Sequence, residues 1–485
     1  MLLSDILPKD AVIVGNIDGC EVRGLTADSR AVKPGFVFAA LKGVNSDGAL
    51  FADKAIAAGA VAILCDDAGA HYDVPTLITN NARLGLAEMA AQFYPAQPAT
   101  IAAVTGTAGK TSVAAFLRQI WLKANKVAAS IGTVGVVSPV ETVYGSLTTP
   151  DPVQLHETID RLARAGVTHL ALEASSHGLD QYRLDGVQVS IGAFTNLGRD
   201  HMDYHETIED YFNAKMALFD RLLPKKAPMV VDTDSPYGEE AMAHGLAAGC
   251  TALTTGSKGN SIRVISLTRE GFGQRLKLDF GDGAVDVFLP LVGLFQVSNA
   301  LVAATIAFAT GVSVELICSA LEELKGEAGR LEYIGTNAAG ALVFIDYAHK
   351  VEALDNLLDA LRPYADKHLT VVFGAGGDRD VGKRPLMGAV ASQKADTVII
   401  TDDNPRSEDP AQIRAAIMAE VPNGIEMADR EKAIFYAVEK ATTGDVVVIA
   451  GKGHETGQIV GDTVLPFSDH EVVGRALSLE TGNAS

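Results

Sequence analysis

The stretch TIAAVTGTAGKTS, residues 100–112, decides the fold. An apolar run that ends at Val104 predicts a buried strand, and a glycine-containing turn leads from it directly into a helix. The backbone N–H groups of such a turn and the positive end of the helix dipole bind phosphate oxygens. The usual pattern G-x-x-x-x-G-K needs glycine at position 104, so this is the shorter variant T-G-T-x-G-K-T. It predicts a nucleotide-binding α/β domain.

The rest of the chain repeats this alternation of short apolar runs and helical patterns, which is typical of α/β folds with parallel strands. A chain of 485 residues exceeds one ordinary core, so we expect several domains. Residues 1–92 are predicted to form a small α/β domain, residues 93–328 a central ATPase domain of the P-loop type with a parallel sheet, and residues 329–485 a Rossmann-like domain. The polar segment at about 232–283 is predicted to be a β-rich excursion from the central domain.

The composition excludes several classes of protein. Lys and Arg number 40 against 60 Asp and Glu, a net charge of −20, and so acidic a surface repels nucleic acid. The N-terminus lacks a signal-peptide pattern, and no run of about 20 apolar residues would span a membrane, so we expect a cytoplasmic protein without a membrane partner. The cysteines are too far apart in sequence for a zinc knuckle or a disulfide framework, and we expect four free thiols.

Three further signals follow the phosphate loop in sequence. Glu173 comes directly after a predicted strand, where a carboxylate can hold Mg²⁺ opposite the phosphates. The loop over residues 195–205 collects two aspartates and two histidines, His201 among them. Lys215 falls within the apolar face of a helix predicted over residues 207–222, where desolvation would make its amine neutral and nucleophilic. Taken alone, Glu173 is typical of a solvated turn, and Lys215 could equally reach solvent from the helix edge.

Taken together and in this order, the motifs resemble those of the Mur ligases of peptidoglycan synthesis. The matching segments are T-G-T-x-G-K-T at 105–111, E-x-S-S-H-G-L at 173–179, N-L-x-x-D-H-x-D-Y-H at 196–205 and A-K at 214–215. The resemblance covers nearly the whole chain. It implies a ligase that uses ATP and Mg²⁺ to phosphorylate a carboxylate and then joins it to an amine. Within the family, the pattern is most similar to members that add meso-2,6-diaminopimelate to UDP-N-acetylmuramoyl-L-alanyl-D-glutamate, and we expect a monomer.

The resemblance also implies roles for matching positions. Lys110, Lys215 and His201 match catalytic positions, and Lys215 matches a lysine that family members carry as a carbamate. The implied metal ligands are Thr111, Glu173, His201 and the modified Lys215. The implied ATP-binding residues are Gly106, Thr107, Ala108, Gly109, Lys110, Thr111, Ser112, Asn299, Arg330, Asp346 and His349. The positions for the UDP-muramoyl-dipeptide are Ala27, Ser29, Val44, Asn45, Ser46, Thr148, Thr149, Ser175, Gln181 and Arg183. Those for diaminopimelate are Arg379, Asp403, Asn404, Pro405, Arg406, Gly451 and Glu455.

The charges of the third domain fit a substrate with an amino-acid group at each end. Arg379 and Arg406 can pair with the distal carboxylate of diaminopimelate, and Glu455 can accept its ammonium. L-Lysine lacks that second carboxylate. The sequence departs from the family pattern at Ala108, where asparagine is usual, and at Val351, where proline is usual. Neither departure removes a charged group.

Other functions remain as alternatives. An L-lysine-adding Mur ligase and a non-catalytic nucleotide-binding switch share the phosphate loop, as does a folylpolyglutamate-synthase-like ligase. The loop at 403–406 and the extra N-terminal domain favour a Mur ligase over the folylpolyglutamate synthases. An oxidoreductase is disfavoured because the dinucleotide pattern G-x-G-x-x-G, starting at Gly374, would need glycine where Arg379 stands.

Overall fold

The computed structural model describes residues 1–43, 46–143, 145, 147–202 and 204–482, the last four of these by their backbone alone. Over this part of the chain the strands form three successive sheets and one short hairpin. Helices cover the sheets, so the predicted α/β class with a central parallel sheet is confirmed. The domain boundaries at 92/93 and 328/329 stay a prediction. None of the helices in the described ranges combines the length and apolarity needed to cross a bilayer.

The N-terminal sheet has five strands among the described residues, in the order β1-β5-β4-β3-β2, and all pairs are parallel except β1 with β5. Helix α2 packs against this sheet. Asn81 caps the N-terminus of the helix, because its side-chain oxygen accepts the N–H groups of Arg83 and Leu84 at 3.0 and 3.1 Å. The elements are β1 Val12–Val14, β2 Gly24–Thr26, β3 Phe36–Ala39, α1 Ala52–Ala57, β4 Ala60–Cys65, β5 Thr76–Ile78 and α2 Ala82–Phe93.

The central sheet has eleven strands in the described ranges, ordered β16-β15-β14-β13-β12-β11-β6-β10-β7-β8-β9. Strands from β14 through β7 pair in parallel, and antiparallel strands extend both edges. Its strands are β6 Thr100–Thr105, β7 Ala128–Gly132, β8 Gly135–Val137, β9 Thr142–Val143, β10 His169–Glu173, β11 Ile191–Phe194, β12 Pro228–Asp232, β13 Thr251–Gly256, β14 Ile262–Glu270, β15 Gly273–Asp279 and β16 Ala284–Leu289. Its helices are α3 Lys110–Lys123, α4 Pro152–Arg164, α5 Ser176–Asp180, α6 Ile208–Ala217, α7 Gly238–Ala248, α8 Leu294–Ala309 and α9 Val314–Leu321.

The segment at 232–283 is β-rich as predicted, but the prediction of an excursion was wrong. Its strands continue the central sheet, because helix α7 returns the chain so that β13 pairs in parallel with β12. The following strands form an antiparallel meander that buries Leu276, Leu278 and Val287 in the core beneath α8 and leaves its other face to solvent. One solvated face explains the polar composition.

The third sheet has six strands over the described part of the chain, ordered β17-β18-β22-β19-β20-β21, and only β17 runs antiparallel. A hairpin, β23–β24, follows it. The strands are β17 Glu332–Thr336, β18 Leu342–Asp346, β19 Leu369–Phe373, β20 Thr397–Ile400, β21 Ile425–Glu426, β22 Val446–Ala450, β23 Gly457–Val460 and β24 Thr463–Pro466. The helices are α10 Val351–Leu361, α11 Lys383–Lys394, α12 Pro410–Met418, α13 Arg430–Lys440 and α14 Asp469–Gly482.

An aromatic stack joins the central meander to the third sheet. Phe272, at the turn between β14 and β15, stacks on Tyr333 and on Tyr364, with ring centroids 5.4 and 6.0 Å apart and planes within 17° and 9° of parallel. Arg269 lies over the Tyr364 ring, 5.0 Å from its centroid. The two domains therefore touch through flat, nearly parallel ring faces.

A buried ion pair ties α13 to α14. Arg430 donates from Nε and Nη2 to the two carboxylate oxygens of Asp469 at 2.8 and 2.7 Å, and both side chains are at most 1% exposed. Arg430 Nη2 also donates to the carbonyl of Ala450 at the end of β22. Removing one member of such a pair leaves the other charge buried without compensation.

Arg430→Met should lower the free energy of unfolding by about 3–5 kcal/mol, because Asp469 would be left buried without a compensating partner. Urea unfolding of the full chain measures the change. The control is Arg475→Met, which breaks the exposed pair of Arg475 with Glu431 and should cost at most about 1 kcal/mol. Equal losses for the two variants would contradict the importance given to the buried pair.

Candidate functional site

The three sequence motifs of the central domain meet at one edge of its sheet. Strand β6 lies between β10 and β11, and all three are parallel, so their carboxyl ends point the same way. Glu173 ends β10 in register with Val104, and Phe194 ends β11 in register with Thr105. Residues 106–112, all predicted to bind ATP, form the loop after β6 and the first turn of α3. This is the sheet edge at which open α/β folds bind ligands.

The conformation of the phosphate loop is stabilised by contacts to its own backbone and by the loop after β11. Gly106 and Gly109 have φ angles of 143° and 87°, a region that side chains disfavour. Lys110 Nζ donates to the carbonyls of Gly106 and Thr107 at 2.7 and 3.0 Å. Burial lowers the pKa of Lys110 to about 8, and nearby Glu173 opposes the shift. The Lys110 Nζ atom therefore lies at the start of the phosphate loop.

Glu173 is buried, so the solvated-turn alternative is wrong. Its Oε2 accepts hydrogen bonds from the hydroxyls of Thr111 and Thr133 at 3.1 and 3.2 Å, and its Oε1 accepts the N–H of Thr133 at 2.9 Å. Burial raises the pKa of Glu173, while Lys110 opposes the rise. A carboxylate beside a threonine hydroxyl gives hard oxygen donors of the kind that Mg²⁺ prefers.

Lys215 is buried as the apolar helix face indicated, with 1% of its surface exposed. The predicted helix begins as α6 and continues as a π-helical turn, Leu218–Leu222. Lys215 Nζ donates to the Gly106 carbonyl at 2.9 Å and lies 4.1 Å from the centroid of the Tyr211 ring. Burial, and next the charge of Lys110, bring the pKa of Lys215 well below its usual value. The Lys215 amine, whose charged form burial disfavours, therefore faces the phosphate loop.

His201 lies in the loop after β11, with a φ of 54°, and its ring packs edge-on against that of His177 with centroids 4.6 Å apart. Its Nε2 is 3.3 Å from the Asp200 carboxylate, and burial lowers the pKa of His201 to about 4. Asp203 of the same motif lies outside the described residues. No group of three His, Cys, Asp or Glu side chains in the described ranges is arranged to hold a metal ion. Joint metal binding by Glu173 and His201 stays a prediction.

The residues expected on the ATP side come from α8 and the third domain. Asn299 packs against Gly109, where a Cβ would overlap its side-chain oxygen. The Arg330 guanidinium lies 4.6 Å from the centroid of the Tyr347 ring. Asp346 accepts the backbone N–H groups of Leu331 and Ala348, and burial raises its pKa to about 6. Burial lowers the pKa of His349 to about 3.

A cavity of about 820 Å³ lies between the N-terminal domain, helix α4 and the segment that follows α5. Ala27, Ser29, Ser46, Gln181 and Arg183 line it, as expected for the UDP-muramoyl-dipeptide pocket. Val44 and Asn45, also expected there, lie outside the described residues.

Three other predicted residues connect this cavity to Glu173. Thr148 shares a hydroxyl hydrogen bond of 3.0 Å with Thr133, a Glu173 partner. Thr149 donates to the Glu173 carbonyl at 2.9 Å, and Ser175 donates to the Thr149 hydroxyl at 3.0 Å. The predicted dipeptide and phosphate sites are therefore continuous.

The third-domain loops expected to hold diaminopimelate form one cluster. Asn404 Nδ2 donates to Glu455 at 3.0 Å, and Asn404 Oδ1 accepts from Lys452 at 3.1 Å. Arg406 donates from Nη1 to the Gly377 carbonyl at 2.8 Å, next to Pro405, and Gly451 packs against Asp403. Arg379 lies exposed on the neighbouring loop.

Other residues support these sites, and two of them, Gln458 and Thr133, were missed in the sequence. Fully buried Lys452, which lies between the predicted residues Gly451 and Glu455, orients Asn404 and Glu455. Gln458 of the hairpin donates to the Asp403 carbonyl at 2.7 Å, and Thr133, directly after β7, donates to Glu173. Neither Gln458 nor Thr133 stands in a motif that would have indicated its role.

Comparison with known families accounts for most of the chain. Residues 104–307 match the Mur ligase middle domain, residues 329–453 the domain described as "Mur ligase, glutamate ligase domain", and residues 21–94 the one described as "Mur ligase family, catalytic domain". The chain belongs to the Mur ligase family.

Individual relatives of this Mur ligase are similar along its whole length. A UDP-N-acetylmuramoyl-L-alanyl-D-glutamate–2,6-diaminopimelate ligase of Bradyrhizobium diazoefficiens is 55% identical over 482 residues, 99% of each chain. The enzyme of the same name from Brucella melitensis is 54% identical over 480 residues, 99% of this chain and 98% of that one. A solved structure of a ligase of that name has a TM-score of 0.68 at 32% identity and covers 95% of each chain.

Gly132 tests the position of Glu173. A Cβ at Gly132 would overlap the Glu173 carboxylate and displace it by about 1 Å or more, which costs on the order of 100-fold in rate when a reacting geometry is disturbed. Gly132→Ala should therefore reduce ATP turnover about 100-fold, measured as ADP release. Gly474→Ala is the matched control, because a Cβ there meets nothing within 4 Å. Equal turnover in both variants would contradict the assignment of Glu173 to the site.

Proposed function

We propose that this Mur ligase joins meso-2,6-diaminopimelate to UDP-N-acetylmuramoyl-L-alanyl-D-glutamate in peptidoglycan synthesis, converting ATP to ADP and phosphate. One observation carries the proposal. Two lysines, the half-buried Lys110 and the buried Lys215, donate to the carbonyl of Gly106 beside a buried Glu173, so the groups for phosphoryl transfer meet at this loop. The identity of more than half over the full length to diaminopimelate ligases supports the choice of substrates.

The reaction has two steps. An oxygen of the D-glutamyl carboxylate attacks the γ-phosphorus of ATP, the bond to the β-phosphate oxygen breaks, and ADP leaves. The amine of diaminopimelate then attacks the acyl carbon, phosphate leaves, and the nitrogen loses a proton to give the amide. The protein's part is to position the reactants and to neutralise charge.

The residues of the central domain divide that work. Lys110 neutralises the β- and γ-phosphates, and Thr111 and Glu173 would hold Mg²⁺. When bound, the ion screens the charge of the phosphates. Thr149 and Ser175 lie between the dipeptide cavity and Glu173, so they can guide the acceptor carboxylate toward the phosphate loop.

Lys215 acts in this proposal as a carbamate. Its neutral amine nitrogen bonds to the carbon of CO₂ and releases one proton, which turns a buried base into an anion that can ligate Mg²⁺. The low pKa supports this modification, because only the unprotonated amine reacts with CO₂. His201 would be a further ligand on that side of the loop.

Selectivity resides in the third domain. The Arg406 and Arg379 guanidinium groups pair with the distal carboxylate of diaminopimelate, and Glu455 accepts its ammonium. Lys452 holds Asn404 and Glu455 in place. The proposal assigns the reaction to the cytoplasm, where ATP is available, and to a monomer that binds neither nucleic acid nor membrane.

One assay separates the alternatives. ADP release is measured with the UDP-dipeptide and, side by side, diaminopimelate, L-lysine or ornithine. We expect turnover only with diaminopimelate. Turnover with L-lysine alone would indicate a lysine-adding ligase, turnover with a folate and glutamate a folylpolyglutamate synthase, and ADP release without any acceptor a nucleotide switch.

Lys215→Ala should reduce turnover at least about 100-fold, because the anion that would help to hold Mg²⁺ is lost. A short carboxylate such as acetate should restore part of the activity by occupying the vacated space. ADP release with and without acetate measures the rescue, with Lys110→Ala as the variant that acetate should not restore. Failure of acetate to act on Lys215→Ala would remove the support for a carbamate.

Arg406→Ala should raise the KM for diaminopimelate at least about tenfold and leave the KM for ATP within about twofold, because a charge-assisted pair to the distal carboxylate is lost. Initial rates at varied concentrations of each substrate measure both values. Equal increases in both KM values would contradict a role in selectivity.

A further inference from the structure

Lys350 reaches from the third domain to the central one. It stands directly before α10, and its ammonium forms an ion pair with Asp200 in the loop after β11. The Asp200 side chain is 11% exposed and also accepts the N–H of His201 at 2.8 Å. This ion pair therefore links the lysine to the central domain across the domain boundary.

The loop that carries Asp200 also touches the phosphate loop. Thr107 Oγ1 accepts the N–H of Gly198 at 3.0 Å and lies 3.3 Å from the Gly198 carbonyl. On the other side, the N–H of Arg199 donates to Glu352 in the first turn of α10 at 3.1 Å, and a Cβ at Gly198 would meet the Glu352 carboxylate at 2.9 Å. The loop at residues 198–200 therefore lies directly between α10 and Thr107.

Lys350 approaches the part of the phosphate loop at which a bound nucleotide places its terminal phosphate. A phosphate-loop lysine reaches the β- and γ-phosphates. Lys110 points its Nζ to the carbonyls of Gly106 and Thr107, at the start of the loop, which is the part that the Asp200 loop contacts. The charge of Lys350 is within electrostatic reach of both Lys110 and Lys215.

We propose that Lys350 is a positioning residue for the γ-phosphate of ATP, supplied by the third domain and held ready by Asp200. The inference rests on the proposed ligase function and adds a residue outside the phosphate-loop motif. A side chain exposed by 34% has room to leave Asp200 for a phosphate oxygen. Asp200 then keeps its hydrogen bond from the backbone of His201. Because ADP lacks the γ-phosphate, Lys350 contributes to the binding of triphosphate and little to that of diphosphate.

The test compares two nucleotides by calorimetry on the full chain with Mg²⁺. Lys350→Met should weaken binding of AMPPNP, a non-hydrolysable ATP analogue, about tenfold or more and change binding of ADP less than about twofold. Lys350→Arg should retain most of the AMPPNP affinity, because the cation remains. Lys440→Met is the matched control: it removes the same charge from the exposed C-terminal end of α13 in the same domain and should change neither affinity.

The two nucleotides distinguish a phosphate contact from a structural one. Equal losses for AMPPNP and ADP in Lys350→Met would show that the residue only supports the fold, and unchanged AMPPNP binding would show that it does not meet the γ-phosphate; either result overturns the proposal. The measurement needs neither the UDP-dipeptide nor diaminopimelate. A wrong choice of substrates would therefore appear in the ADP-release assay and leave the nucleotide difference intact.

Discussion

The site depends on one backbone carbonyl, that of Gly106, which accepts hydrogen bonds from the two lysines Lys110 and Lys215. Burial disfavours the charged form of both lysines and lowers the pKa of each, and the charge of Lys110 lowers the pKa of Lys215 further. Gly106 directly follows the middle one of three parallel strands. Glu173, on the neighbouring strand, supplies opposing charge. The sheet thus brings the charged groups of the site together.

The structure accommodates both departures from the pattern that the resemblance implies. Ala108 lacks a side-chain amide, but Asn196 Oδ1 accepts the N–H of Ala108 at 3.0 Å, and the Thr195 hydroxyl donates to its carbonyl at 2.6 Å. The loop therefore keeps its shape through its neighbour's side chains. Val351 stands at the first position of α10, where proline is favourable, and the helix begins there all the same.

The local features of the fold could be predicted from sequence, and the contacts between distant segments could not. The strand, turn and helix around Lys110 follow from residue spacing, and the burial of Lys215 follows from its place in an apolar face. The polarity of residues 232–283 was misleading, because one solvated face of a sheet and an excursion have the same composition. Lys350 gave no local signal, since its partner Asp200 is 150 residues away in the chain and belongs to another domain.

The stack of Phe272 on Tyr333 and Tyr364 has a mechanical consequence. Parallel ring faces keep most of their dispersion contact when they slide and lose it when they separate. A third domain attached in this way can shear across the meander at low cost but resists lifting from it. The flat ring contact therefore favours sliding of the third domain along the meander over its separation from it.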